Sequence, residues 1–161
     1  MIKEFNLFFL TLFKIGKIKY APGTIASFLT CLLFLFLINI FSILILLLST
    51  FIIFCYSFLA INNSFDTFDG NDPQEIVIDE VVGQMLPLLA IPVYETLYLA
   101  PKIYYCFAAF LLFRLFDIWK PFPISYVDNN TKGSLGIMLD DIIAGIFTVI
   151  ILSLVFFFIG G

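Results

Sequence analysis

Asp79-Glu80 and Asp140-Asp141 are two pairs of adjacent carboxylates, each set directly before an apolar run. A third element, Arg114, Asp117 and Lys120 at spacings of three, would place plus, minus and plus along one side of a helix. Five carboxylates facing two cations need compensating charge. Hard oxygen donors of this kind select Mg²⁺, which keeps part of its shell for a substrate phosphate. The set therefore has the makings of a metal site with a general base, in which Arg114 and Lys120 would face phosphoryl oxygens. A structural reading stands beside it. Acids are favoured at helix N-termini by the dipole, and the 114–120 stripe also fits a salt-bridged, snorkelling helix end next to an interfacial Trp119.

The rest of the chain explains why these charges matter. Of 161 residues, 62% are hydrophobic, 12% are charged and 22 are Phe, with a mean hydropathy of +1.11. Soluble domains carry about 25% charged residues, so the composition predicts an integral membrane protein. An ionised side chain at the bilayer centre costs roughly 2.5–3.5 kcal/mol on insertion scales, and acids beside membrane-length segments therefore call for a function. The length suits one membrane domain over residues 1–161, which must itself carry any active site.

Several classes drop out. A net charge of −4 offers no basic footprint for nucleic acid. The chain has no His, which removes Ser-His-Asp hydrolysis, histidine phosphoenzymes and the usual zinc hydrolase sites. Cys31, Cys55 and Cys106 lie in apolar runs without C-x-x-C spacing and read as small buried hydrophobes.

The elements that must position the acids follow from the pattern. Ile2, Phe5, Phe8, Phe9, Leu12 and Phe13, followed by Lys14, Lys17 and Lys19, predict an amphipathic interfacial helix. Residues 25–61 contain no charge and suit a hairpin of two spans turning near Asn39. A polar loop, 62–74, precedes a third segment that starts near Ile76 or Val81 and is interrupted by Pro87 and Pro92. A fourth, 103–118, leads into a loop over 121–136, and the fifth runs 142–159. The expectation is an all-α polytopic bundle of about five spans. The N-terminal lysines place that end in the cytoplasm by the positive-inside rule, and counting forward gathers every candidate group except Glu95 and Lys102 at the same face.

Local geometry refines the roles. Ala21-Pro22-Gly23-Thr24 places Thr24 at a helix N-cap, where capping is the favoured reading and phosphate binding the second. Asp79 and Gly83 share a helical face at i, i+4, so the glycine allows a helix or ligand to approach Asp79, while Glu80 points about 100° away. Asp72 reads as a helix N-cap with Glu75 as its capping-box partner.

The strings APGT, DPQEIVIDEVVG, FRLFDIWKPFPI and GIMLDDIIAG, in this order and spacing, closely resemble the phosphatidylglycerophosphatase A family from about Ile15 to Gly145. The chain departs from the pattern at Lys19 (usually Pro), Ala26 (commonly Gly) and Ser134 (a Gly of a pair), and none of these removes a carboxylate. The resemblance implies a Mg²⁺-dependent bacterial membrane enzyme that converts phosphatidylglycerophosphate to phosphatidylglycerol, working at the cytoplasmic face of the inner membrane. The site expected from residues and resemblance together has Asp79, Glu80, Asp117, Asp140 and Asp141 as metal ligands and base, with Thr24, Arg114 and Lys120 on the phosphate.

Two rivals make different demands. A CDP-alcohol phosphotransferase would share Asp66-Thr67-Phe68-Asp69-Gly70, but the Ala-Arg that should follow and the final Asp at position 144 are missing. An ion or proton transporter would need acids at mid-span, whereas the run Ile142–Ile159 has no ionisable residue.

Overall fold

The computed structural model describes residues 2–68, 73–98 and 101–160. All α-helices and short 3₁₀ turns, these form α1 (Ile2–Leu10), α2 (Pro22–Leu37), α3 (Ile43–Ser64), α4 (Ile78–Leu89), α5 (Ile91–Tyr98), α6 (Lys102–Trp119), α7 (Ile124–Asn130) and α8 (Gly133–Gly160). No strand occurs among the described residues.

Among the described residues two stretches, Ile43–Thr67 and Gly133–Phe158, are long and apolar enough to cross a bilayer. Their outer faces fit lipid, with Leu44, Leu47, Leu48, Phe51 and Ile52 of α3 and Ile150, Leu154, Phe157 and Phe158 of α8 exposed. The other three expected spans are shorter elements. The 16 residues of α2 reach only about 24 Å at 1.5 Å per residue, below the roughly 30 Å hydrocarbon core. The third segment is split, because Pro87 lies inside α4 and the chain turns at Ala90 before α5 begins.

The α2–α3 hairpin turns at residues 38–42, near Asn39 as expected. There Lys102 Nζ donates to Asn39 Oδ1 at 3.0 Å, which ties the start of α6 to the end of the bundle away from the acids. Around this end Phe34, Leu88, Tyr105, Cys106 and Leu152 form one buried core. A second, of Leu10, Ala60, Ile61, Ile76, Val82, Ile137 and Met138, joins α1, α3, α4 and α8 just beside the acidic end. In α1 Ile2, Phe5 and Phe8 are exposed, and the buried Asn6 accepts a hydrogen bond from Tyr56 Oη at 2.8 Å, an arrangement consistent with a helix lying at an apolar interface.

Five sequence expectations are corrected. Thr24 is not the N-cap of α2. That position falls to Ala21, in the left-handed region at φ 46°, with Pro22 opening the helix, because a proline is pre-set for the first helical residue and lacks the N–H that would go unpaired there. Helix α8 starts at Gly133, so Asp140 and Asp141 lie two turns inside it and not at its N-terminus. Glu75 is not a capping-box residue: α4 begins only at Ile78 with Val77 as its uncapped N-cap, while Asp72 falls outside the described residues. Cys55 is exposed on α3, unlike the buried Cys31 and Cys106. The expected 121–136 loop also contains a helix, α7.

Candidate active site

Helix α4 sits at the centre of the bundle, against α2, α3, α6 and α8, and its first turn carries Asp79 and Glu80. One turn further, Gly83 meets α8. A side-chain carbon on Gly83 would lie 2.7 Å from the Asp141 carbonyl oxygen and 2.8 Å from Phe113 Cε2, and one on Gly145 would strike the Gly83 carbonyl. That carbonyl has no i+4 donor within its own helix, because residue 87 is proline. Two glycines thus let the backbones of α4 and α8 touch, as small residues do where membrane helices pack closely. The approach expected from the Asp79/Gly83 spacing is made by α8.

The crossing brings Asp141 to the α4 acids. Asp79, Glu80 and Asp141 each direct one oxygen into a group within 4.8 Å of one another. Asp79 and Asp141 are buried, and Asp79 Oδ1, Glu80 Oε2 and Asp141 Oδ1 have no hydrogen-bond partner among the described residues. Buried like charges at this separation repel and lose hydration, an arrangement that is costly unless a cation joins them. All donors are carboxylate oxygens, the set that suits Mg²⁺ or a similar hard cation. The residues present therefore fit such an ion.

The remaining groups come from α2, α6 and the segment after it. Gly23 packs on Glu80 so closely that any side-chain carbon there would overlap Glu80 Oε1, with Arg114 Nη1 3.4 Å from the same point. Arg114 Nη1 forms an ion pair with Asp117 Oδ2 at 2.6 Å. At the end of α6, Lys120 takes a left-handed conformation, φ 45°, and turns its ammonium back onto Asp128 Oδ1 at 2.6 Å and Asp140 Oδ2 at 2.7 Å. Burial lowers the pKa of this ammonium, but the hydrogen bonds and charges of Asp128 and Asp140 outweigh it and the net shift is upward, so Lys120 stays cationic at any physiological pH. A cavity of about 350 Å³ collects these parts, lined by Lys19, Thr24, Asp79, Glu80, Arg114, Asp117, Lys120, Asp140 and Asp141 among others.

All eight residues singled out from the sequence line this one cavity. They divide by contact into three clustered acids, an Arg114–Asp117 pair, and Asp140 held by Lys120, while Thr24 sits in the first turn of α2 at the wall. Glu95 and Lys102 do not line it. Asp128, Gly23 and Gly145 are the residues that sequence reasoning passed over as site components. Asp128 follows Lys120 by eight positions, across two prolines and inside a separate helix, α7, so no helical periodicity links them. The glycines were legible only as parts of the APGT and GIMLDDIIAG strings. Asp128→Asn, which weakens the clamp on Lys120 without touching the acid cluster, should lower turnover about tenfold, the scale of a residue that orients a ligand from outside the site; steady-state phosphate release measures it.

A family model described as phosphatidylglycerophosphatase A matches residues 8–156. The chain belongs to the phosphatidylglycerophosphatase A family. Within it, the chain is 36% identical over 136 residues to phosphatidylglycerophosphatase A of Haemophilus influenzae, covering 84% of this chain and 79% of the relative. It is 40% identical over 90 residues to phosphatidylglycerophosphatase A of Escherichia coli, covering 56% and 46% of the two chains. A Bacteroides thetaiotaomicron protein, provisionally named a phosphatidylinositol-3-phosphatase, is 34% identical over 148 residues, covering 90% and 89%. No solved structure matches the chain at a significant level. As a phosphatidylglycerophosphatase A family member with two bilayer-length helices, it is a membrane protein and a phosphatase.

Proposed function

We propose that this protein removes the terminal phosphate from phosphatidylglycerophosphate with the help of Mg²⁺, giving phosphatidylglycerol and inorganic phosphate in phospholipid biosynthesis. The observation that carries the reading is the three-carboxylate cluster of Asp79, Glu80 and Asp141 in a cavity that also holds Arg114 and Lys120. In the net reaction the ester P–O bond breaks, the oxygen of one water joins phosphorus, and the departing glycerol oxygen gains a proton. Asp79, Glu80 and Asp141 would hold the ion, with Asp117 and Asp140 facing the same cavity. Bound there, Mg²⁺ would polarise the phosphoryl oxygens and offset their charge. Arg114 and Lys120, each paired with a carboxylate, present N–H groups to the phosphate, and one of the acids takes the proton of the attacking group.

The topology we propose has about five crossings, by α2, α3, the α4–α5 pair, α6 and α8, in the bacterial cytoplasmic membrane with the acids on the cytoplasmic side. It rests on the lysines at positions 3, 14, 17 and 19 and on the Asn39–Lys102 contact at the opposite end of the bundle.

The test uses purified protein in detergent micelles. Phosphate release from phosphatidylglycerophosphate is expected with Mg²⁺ and is expected to stop on chelation, returning when Mg²⁺ is restored. The Bacteroides relative supports a second reading, so phosphatidylinositol 3-phosphate belongs in the same assay. Faster release from that lipid would transfer the activity to phosphoinositides, and release unaffected by chelation would overturn the metal assignment.

A further inference from the structure

Three cations line the cavity, and two of them are already committed. Arg114 is ion-paired with Asp117, and Lys120 with both Asp128 and Asp140. The third, Lys19, makes no ion pair among the described residues; its ammonium lies 5.9 Å from the ring centroid of its neighbour Tyr20. Lys19 is exposed and stands on the short segment before α2, between the exposed Ile18 and Tyr20, so it occupies the rim of the cavity whose depth holds the acids. Tyr20 is suited to the membrane interface, where an apolar body and a polar tip are both accommodated, and Ile18 adds an apolar side chain beside it.

The substrate of the proposed reaction carries two phosphates. One is the terminal monoester, which must reach Asp79, Glu80 and Asp141. The other is the diester that joins the headgroup to the acylated glycerol, and it stays on the membrane side when the monoester is seated. We propose that Lys19 is a specificity-determining residue that binds this diester phosphate, an inference that rests on the functional reading above. A lysine suits the task. Its ammonium is a compact charge on a flexible stem, able to follow a lipid phosphate at the rim, and it forms no ion pair with any described acid.

General attraction of basic residues for anionic lipid is the competing explanation, and the exposed Lys17, which does not line the cavity, provides its control. The experiment compares inhibition of phosphatidylglycerophosphate hydrolysis by phosphatidylglycerol, which keeps the diester, and by inorganic phosphate, which lacks it, in neutral detergent micelles at fixed lipid fraction. Lys19→Ala is expected to raise the phosphatidylglycerol inhibition constant and the substrate KM about tenfold, the scale of a lost hydrogen bond to a charged group, with the phosphate inhibition constant unmoved. Lys19→Arg should restore most of the loss, and Lys17→Ala should move none of the three constants by a comparable factor. Equal shifts for both inhibitors, no shift for either, or an equal effect from Lys17→Ala would overturn the assignment. Wild-type protein that releases no phosphate would overturn the functional reading itself, and this one with it, before any variant is compared.

Discussion

Asp79→Asn or Asp141→Asn is expected to reduce Mg²⁺-dependent phosphate release by more than about 100-fold. Outer residues that merely orient metal ligands cost 10–100-fold when changed, and these two carboxylates sit in the cluster itself with unpartnered buried oxygens. A second measurement separates loss of the metal from general damage. An ion present at about 100 times its dissociation constant stabilises the folded state by about 2.7 kcal/mol, roughly 5–10 °C in midpoint for a chain of this size. The wild type should show that Mg²⁺-induced shift and both variants should lose it. Without metal the variants should melt higher than the wild type, because each removes one of three mutually repelling buried acids. A variant that keeps both its turnover and its thermal shift would take its residue out of the metal site.

Gly145→Val should be nearly as damaging to activity without changing any charge. The new side chain meets the Gly83 carbonyl, so α8 must move away from α4 and carry Asp141 with it. A displacement of about 1 Å in a catalytic constellation can cost on the order of 100-fold in rate, while overpacking of a tight contact costs about 1–3 kcal/mol in stability. Turnover should therefore collapse in protein that still folds and elutes as the wild type does, with its Mg²⁺-induced thermal shift weakened. Gly83→Ala acts on the same contact from the other side, against the Asp141 carbonyl and Phe113. Full activity in both glycine variants would mean that the close crossing does not set the position of the acids.

Much of the site was legible because its residues conflict with their surroundings. A carboxylate in a chain of Phe, Leu and Ile is conspicuous, and the expected gathering of 79–80, 114–120 and 140–141 is met by the one cavity that they line. Boundaries were harder to read. Gly133, Ser134 and Gly136 look like loop residues, yet α8 runs through them, and Ser134 Oγ reaches Asn62 Oδ1 at 2.8 Å to fasten that first turn to α3. Tertiary contact overrode local propensity there. Distinguishing Asp140 from Asp141 was beyond the sequence, since adjacent residues on a helix differ by about 100° and only the positions of Lys120 and α4 decide which one meets which partner. The long-range Lys120–Asp128 clamp likewise depends on a left-handed residue that lysine does not advertise.

The start of α4 has no side-chain cap. Its Val77 N–H is instead donated to the Leu10 carbonyl at 3.0 Å, and Gly16 lies against the Glu75 carbonyl with no room for a side chain. The N-terminal helix, with its outward Ile and Phe side chains, is thereby coupled through the main chain to the helix that carries Asp79 and Glu80. Such a linkage makes α1 and the first turn of α4 move as one: a displacement of the N-terminal helix is passed straight to Asp79 and Glu80.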